Sequence, residues 1–176
     1  MEISNKSLVL IGVLTAGIIV SVIFGIKGVQ GQNVDIIKLE FSDISFIDPS
    51  QTTVKIEDGK AFTADGALSS RFVTNPLFTS KTSIIEVKLN ADDKIRGNTT
   101  IDYFVSNDNG QSWVLAKEKK FVKFSNRGNQ LKLMGVISRK KEKNKSAWVK
   151  KIEITVQEEA LSPASAISRE TGGSQL

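Results

Sequence analysis

Nineteen consecutive residues, 8–26 (LVLIGVLTAGIIVSVIFGI), carry no charge, and only Thr15 and Ser21 among them are polar. A helix needs about 20 such residues to cross a bilayer core roughly 30 Å thick, so the run is read as one membrane-spanning helix. A cleaved signal peptide is the competing reading, because Val29 and Gly31 stand three and one residues before a cut ahead of Gln32. Signal peptides usually have apolar regions of about 7 to 15 residues, and Lys27 would fall inside the cleavage region, so the uncleaved anchor is preferred. Either reading exports the rest of the chain.

Residues 1–7 hold Glu2 and Lys6 beside the α-amino group, and Lys27 is the only charge just after the apolar run. The positive-inside bias therefore only slightly favours an inner N-terminus. The stronger argument is the arrangement itself, a β-rich, cysteine-free domain behind one N-terminal anchor, which predicts an inner N-terminus and an outer domain. Gly17, Ser21 and Gly25 recur at four-residue spacing and share one helix face, where a second helix can approach closely; homo-oligomerisation through this face is one expectation. Glycine is frequent in membrane helices in any case.

Beyond residue 32 the apolar pattern becomes alternating. Ile37, Leu39 and Phe41 share one face, as do Ile85, Val87 and Leu89, then Ile101, Tyr103 and Val105, then Leu131 and Leu133, then Ile152, Ile154 and Val156. Period two over short runs, broken by turn signals at Asp58-Gly59, Asp65-Gly66, Asn109-Gly110 and Gly128-Asn129, reads as half-buried antiparallel strands. Eight to ten such strands predict an all-β protein: an antiparallel β-sandwich, jelly-roll or Ig-like, preceded by the membrane helix. The expected division is a cytoplasmic stretch 1–7, an anchor 8–26, a linker 27–32, a sandwich 33–157, and a small, polar, disordered tail 158–176.

The chain contains neither Cys nor His, which removes disulfides, Cys or His metal sites, thiol nucleophiles and imidazole acid–base chemistry. No pair of carboxylates is placed by a motif for acid–base work. Asn90-Ala91-Asp92-Asp93 matches no calcium loop and reads as a turn. A non-catalytic protein without metal or cofactor is expected.

The most specific local motif is residues 106–113, SNDNGQSW, in which Ser106, Asp108, Gly110, Ser112 and Trp113 fill every defined position of the Asp-box pattern. Asn109 and Gly110 tolerate the positive φ of a tight turn, Asp108 can accept amides across it, and Trp113 is expected to bury its ring at the start of the return strand. In the families where the box recurs, it is a structural hairpin remote from the active site. Around it, Ser80-Lys81, Gly97-Asn98-Thr99-Thr100-Ile101-Asp102-Tyr103, Gly128 with Leu131-Lys132-Leu133, and the closing strand from Trp148 to Val156 resemble a jelly-roll module of phage tail and cell-surface proteins, similar to galactose-binding or discoidin-like domains. The resemblance spans roughly residues 70–157, departs from the family at an insertion from Arg139 to Ser146, and implies an adhesive or structural role with no binding residue carried over.

Charge is segregated. Residues 33–116 hold 12 acids and 8 bases, net −4, whereas residues 117–151 hold 13 bases and 2 acids, net +11. The sharpest piece contains Arg139, Lys140, Lys141, Lys143 and Lys145, read as a hairpin loop that is either merely solvated or grips an anionic partner such as lipid headgroups or an acidic glycan. Nucleic acid is not expected, since no aromatic residues interleave with the lysines. The sequence reading is thus a single-pass membrane protein with an extracytoplasmic module for carbohydrate, envelope polymer or protein contact. The alternative is a subunit of a larger membrane or surface machine, similar in layout to archaeal flagellar stator proteins.

Overall fold

The computed structural model describes residues 26–27, 33–141 and 146–160. Among them the chain is all-β, with twelve strands in two antiparallel sheets and no helix long and apolar enough to cross a membrane. The apolar run from residue 8 to residue 25, with Gly17, Ser21 and Gly25, lies outside the described residues, as do 1–7, 28–32 and 161–176. Ile26 and Lys27 themselves form a short strand, β1, whose residues pair with Val34 and Asn33.

The first sheet is built around the last strand, β12 (Trp148–Glu158). β2 (Asn33–Glu40) pairs along one edge of it from Lys151 to Gln157, and β4 (Lys60–Phe62) takes over that edge at Trp148 and Val149. β7 (Ile84–Lys94) runs along the other edge. Outside these, β1 pairs β2, β3 (Lys55–Glu57) pairs β4, and β10 (Phe121–Lys123) pairs β7. The second sheet is centred on β11 (Gln130–Arg139), with β5 (Ser69–Val73) and β6 (Phe78–Thr79) on one edge and β8 (Thr99–Ser106) on the other, flanked by β9 (Val114–Ala116). Setting aside the short β1, β3, β4 and β6, the eight remaining strands pair outermost with outermost along the chain: β2 with β12, β5 with β11, β7 with β10, β8 with β9.

Alternation puts one face of each sheet into a shared core. Ile37 and Leu39 of β2, Val87 and Leu89 of β7, Ile152, Ile154 and Val156 of β12, Val105 of β8 and Leu131, Leu133 and Ile137 of β11 are buried together. The alternation slips in β12 through an irregularity between Val149 and Lys151, so Val149 and Ile152, three apart, both face inward. A bulge of this kind re-aims side chains without ending the strand. Tight turns fall where sequence asked for them: Asp58 and Gly59, with φ of 51° and 66°, join β3 to β4. The segment from Asn90 to Asp93, expected to turn, instead lies inside β7, held by pairing with β12 from Asn90↔Glu153 to Asp93↔Val149. At the C-terminal side β12 reaches Glu158, and Glu159 is bonded beyond it, its N–H donating to Ser83 O (2.8 Å) and its carbonyl accepting from Thr82 Oγ1 (2.9 Å).

The registers give the sandwich two distinct ends. Val34, Gln157, Glu86 and Lys123 lie side by side in the first sheet, and Ser106 and Lys132 in the second, so β2 begins, with β1 folded back beside it, and β12 ends at the end that carries the 106–113 hairpin. Lys94, Trp148, Phe62 and Arg139 lie at the opposite end. The eleven residues of β12 separate the two by about 33 Å.

Candidate functional site

Three places in the sandwich carry polar chemistry: the 106–113 hairpin, the far end, and the outer face of the first sheet. The hairpin gathers all five of its sequence-selected residues. Ser106, buried at the end of β8, donates its hydroxyl to Asp108 Oδ1 (2.7 Å) and accepts the Gly110 N–H (2.8 Å). Asp108 Oδ1 also accepts the Ser112 N–H (2.9 Å), while Oδ2 accepts the Ser112 hydroxyl and an amide hydrogen from Asn126 Nδ2 (2.8 Å). Asn109 and Gly110 turn the chain with φ of 60° and 88°. Trp113 is only half-buried. Its ring lies over Gly110 and beside the Lys132 stem, since a Cβ on Gly110 would sit 3.3 Å from Trp113 Cζ2 and 3.6 Å from Lys132 Cδ. The ring caps the end of the sheet rather than filling the core.

Burial works against the Asp108 charge, yet the hydroxyls of Ser106 and Ser112 and the Ser112 amide together hold its pKa down to about 2. A depressed carboxylate contributes stability that is present above its ordinary 3.8 and is lost as pH falls through about 2. Asp108→Ala is therefore expected to destabilise the domain at pH 7 by only about 1 kcal/mol, read as a lower melting temperature, because Ser112 is exposed and its donors regain water. The gap to wild type should narrow below pH 4 and close near pH 2. A gap that stays constant from pH 7 to pH 2 would show that the carboxylate charge does not support the turn.

Sequence reading missed the partners that lock this hairpin. Asn107 is fully buried and donates its amide to Ile84 O (3.1 Å) and Asn126 O (3.0 Å), bridging the two sheets; its Oδ1 has no partner among the described residues. Nothing in the motif distinguishes this position, which the pattern leaves undefined. A second missed cluster joins Asp93, Tyr103 and Glu118, which lie on different elements. The buried Tyr103 hydroxyl donates to Asp93 Oδ2 (2.6 Å), and burial followed by the Asp93 carboxylate pushes the phenol far up. Burial, then the charge of Asp93, raises Glu118 above the ordinary carboxylate range. A neutral phenol beside crowded carboxylates offers an anchor between strands, not a nucleophile. No group of His, Cys, Asp or Glu suited to hold a metal ion occurs among the described residues.

The basic set divides. Arg139, expected in an exposed loop, ends β11 and is turned inward onto the 64–68 turn, with Nε donating to Ala67 O (2.7 Å), Nη2 to Ala64 O (3.2 Å) and its N–H to Leu68 O (2.8 Å). These bonds to carbonyl groups give the Arg139 guanidinium a structural part in holding the 64–68 turn. Lys140 and Lys141 are exposed, and Lys143 and Lys145 lie outside the described residues. Lys94 and Arg96, which the sequence offered no reason to group with them, stand at the same end and are exposed too. On the outer face of the first sheet, Lys88, Asn90, Lys119, Glu153 and Thr155 line a cleft of 270 Å³. Phe121, 43% exposed, pairs with Lys88 across β10 and β7, the ammonium 5.2 Å from the ring centre. Sheet registry builds this cleft from residues scattered over 68 positions of sequence, so no local motif announces it.

No protein-family model matches the chain, and no curated protein is significantly similar to it.

Proposed function

We propose that this protein is a membrane-anchored, extracytoplasmic binding or structural module with no catalytic role, in which the segment 8–26 fixes a jelly-roll sandwich to the outer side of a membrane. The observation that carries the reading is polarity: β2 begins and β12 ends at one end of the sandwich, and the exposed bases Lys94, Arg96, Lys140 and Lys141 stand at the other, about 33 Å away. A tether at the first end would present the second outward. The pairing of eight strands outermost with outermost supports the jelly-roll form, since it is the winding of one long hairpin rolled up on itself. The outer-face cleft, with amide, hydroxyl, ammonium and carboxylate groups beside an exposed phenyl ring, suits the hydroxyl-rich surface of a glycan.

The expected result is that the protein stays with membranes through carbonate extraction, while protease added to intact cells or right-side-out vesicles removes the sandwich. Recovery of a soluble product beginning near Gln32 would overturn the anchor in favour of a cleaved signal peptide. Protection of the sandwich from external protease would overturn the orientation.

A further inference from the structure

We infer that the far end of the sandwich is a docking site for an extended polyanion, a polymer bearing phosphate or carboxylate groups, gripped by Lys94 and Arg96 from one loop and Lys140 and Lys141 from another. The inference rests on the module reading and deepens it by naming the class of partner. The residues of the three segments that meet there, 64–68, 94–98 and 139–141, include five bases and one acid. That acid, Asp65, is already engaged with Lys55 at 3.5 Å. Of the bases, Arg139 is committed to the carbonyl groups of the 64–68 turn, and the other four are exposed.

What makes this a patch rather than scattered surface charge is that one strand end ties both loops. Arg139 N–H bonds to Leu68 O (2.8 Å) and the next amide, Lys140 N–H, to Asn98 O (3.2 Å), so the 94–98 loop and the end of β11 are held side by side. Inside the 94–98 loop, Thr99 Oγ1 accepts the Arg96 N–H (2.9 Å) and donates to Arg96 O (2.7 Å), closing the turn that carries the guanidinium. The charges are flexible, but the backbone beneath them is fixed before any ligand arrives, which lowers the cost of binding.

Geometry decides among anionic partners. In the tethered reading the anchoring membrane is about 33 Å from these residues, several times the screening length of about 8 Å at physiological ionic strength, so its headgroups are out of range. The aromatic residues at this end, Phe62 and Trp148, are both half-buried, and the Lys60 ammonium already lies 5.3 Å from the Trp148 ring centre, so they form no open row of rings on which single-stranded nucleic acid could stack. A flexible acidic polymer lying beyond the membrane needs only spaced cations, and these are present.

The test uses the fragment 33–160, which contains the whole described core, with polyphosphate and polygalacturonate as separate probes and vesicles half composed of phosphatidylglycerol as a third. Binding to either polymer is expected at low salt, polyphosphate identifying phosphate and polygalacturonate carboxylate as the preferred group. The affinity should fall steeply with salt. Lys94→Gln with Arg96→Gln, and separately Lys140→Gln with Lys141→Gln, should each make the log–log salt slope shallower by about 1.4, at roughly 0.7 per lost contact with a flexible strand. Neither pair should move the melting temperature, because exposed charges contribute little to folding. Three outcomes would overturn the inference: no binding to either polymer at low salt, polymer binding that the Lys94 and Arg96 replacements leave unchanged, or binding to vesicles alone that is abolished by Leu68→Ser and Ile95→Ser, which remove the two exposed aliphatic side chains of these segments. None of these bears on the anchor, which the fractionation experiment addresses independently.

Discussion

Gly128→Ala is expected to destabilise the sandwich by about 3 kcal/mol, near the upper end for overpacking by one methyl, and to lower the melting temperature of the domain by roughly 10 °C. The added Cβ would lie 2.2 Å from the Asn107 carbonyl oxygen, 2.6 Å from its carbon and 3.0 Å from Asn107 Cγ. These are backbone atoms and the root of a buried side chain, so no rotamer change relieves the clash. The peptide must move, and four bonds move with it: Ile84 N–H to Gly128 O (2.8 Å), Gln130 N–H to Asn107 O (3.0 Å), and the two amide bonds from Asn107 Nδ2 to Ile84 and Asn126. Thermal unfolding of the variant checks this. A loss below about 1 kcal/mol would mean that the junction between the sheets yields easily and that Asn107 is not the bridge inferred from its bonds.

The second large effect is expected at a different kind of glycine contact. Gly135 of β11 lies directly opposite Phe72 of β5, and a Cβ there would meet the phenyl ring at 2.3 Å. Phe72 is fully buried, its ring edge-on to Phe41 at 5.0 Å, and the ring covers the strand where glycine supplies no side chain. Phe72→Ala is expected to cost about 3 to 5 kcal/mol and Gly135→Ala about 1 to 3 kcal/mol. Because the methyl of one variant enters the space vacated in the other, the double mutant should be more stable than the sum of the single losses by at least about 1 kcal/mol. Strict additivity in a double-mutant cycle would show that the two positions do not share one space.

The contrast between these glycines illustrates what sequence carries. Period-two alternation in Ile152, Ile154 and Val156 or in Ile37 and Leu39 is a local signal, and it marks core faces because adjacent residues of a strand point to opposite sides. Asp58-Gly59 and Asn109-Gly110 are legible for the same reason: a positive φ is a property of the residue itself. Gly128 and Gly135 adopt no such conformation, and their need for glycine comes from Asn107 and Phe72, 21 and 63 residues away. The basic end shows the same limit. The run of charge holds no sign that the Arg139 guanidinium is bonded to carbonyl groups 72 and 75 residues away, nor that topology brings Lys94 and Arg96 beside Lys140. Tyr103 reads as one more apolar position of β8, and only the fold brings Asp93 to its hydroxyl.

β12 is the last of the described strands and the middle of its sheet, pairing β2, β4 and β7 at once. Until β12 is in place, β2 and β7 have no strand to join them, and the apolar faces of Ile37, Leu39, Val87 and Leu89 lack Ile152, Ile154 and Val156 between them. Such long-range pairing folds slowly and leaves strand edges open while it waits. The two halves of the first sheet, β1 with β2 and β7 with β10, are therefore joined only when β12 arrives, and a chain cut short just before Trp148 keeps the partners of the second sheet but leaves those halves as two separate flaps instead of a smaller version of the same fold.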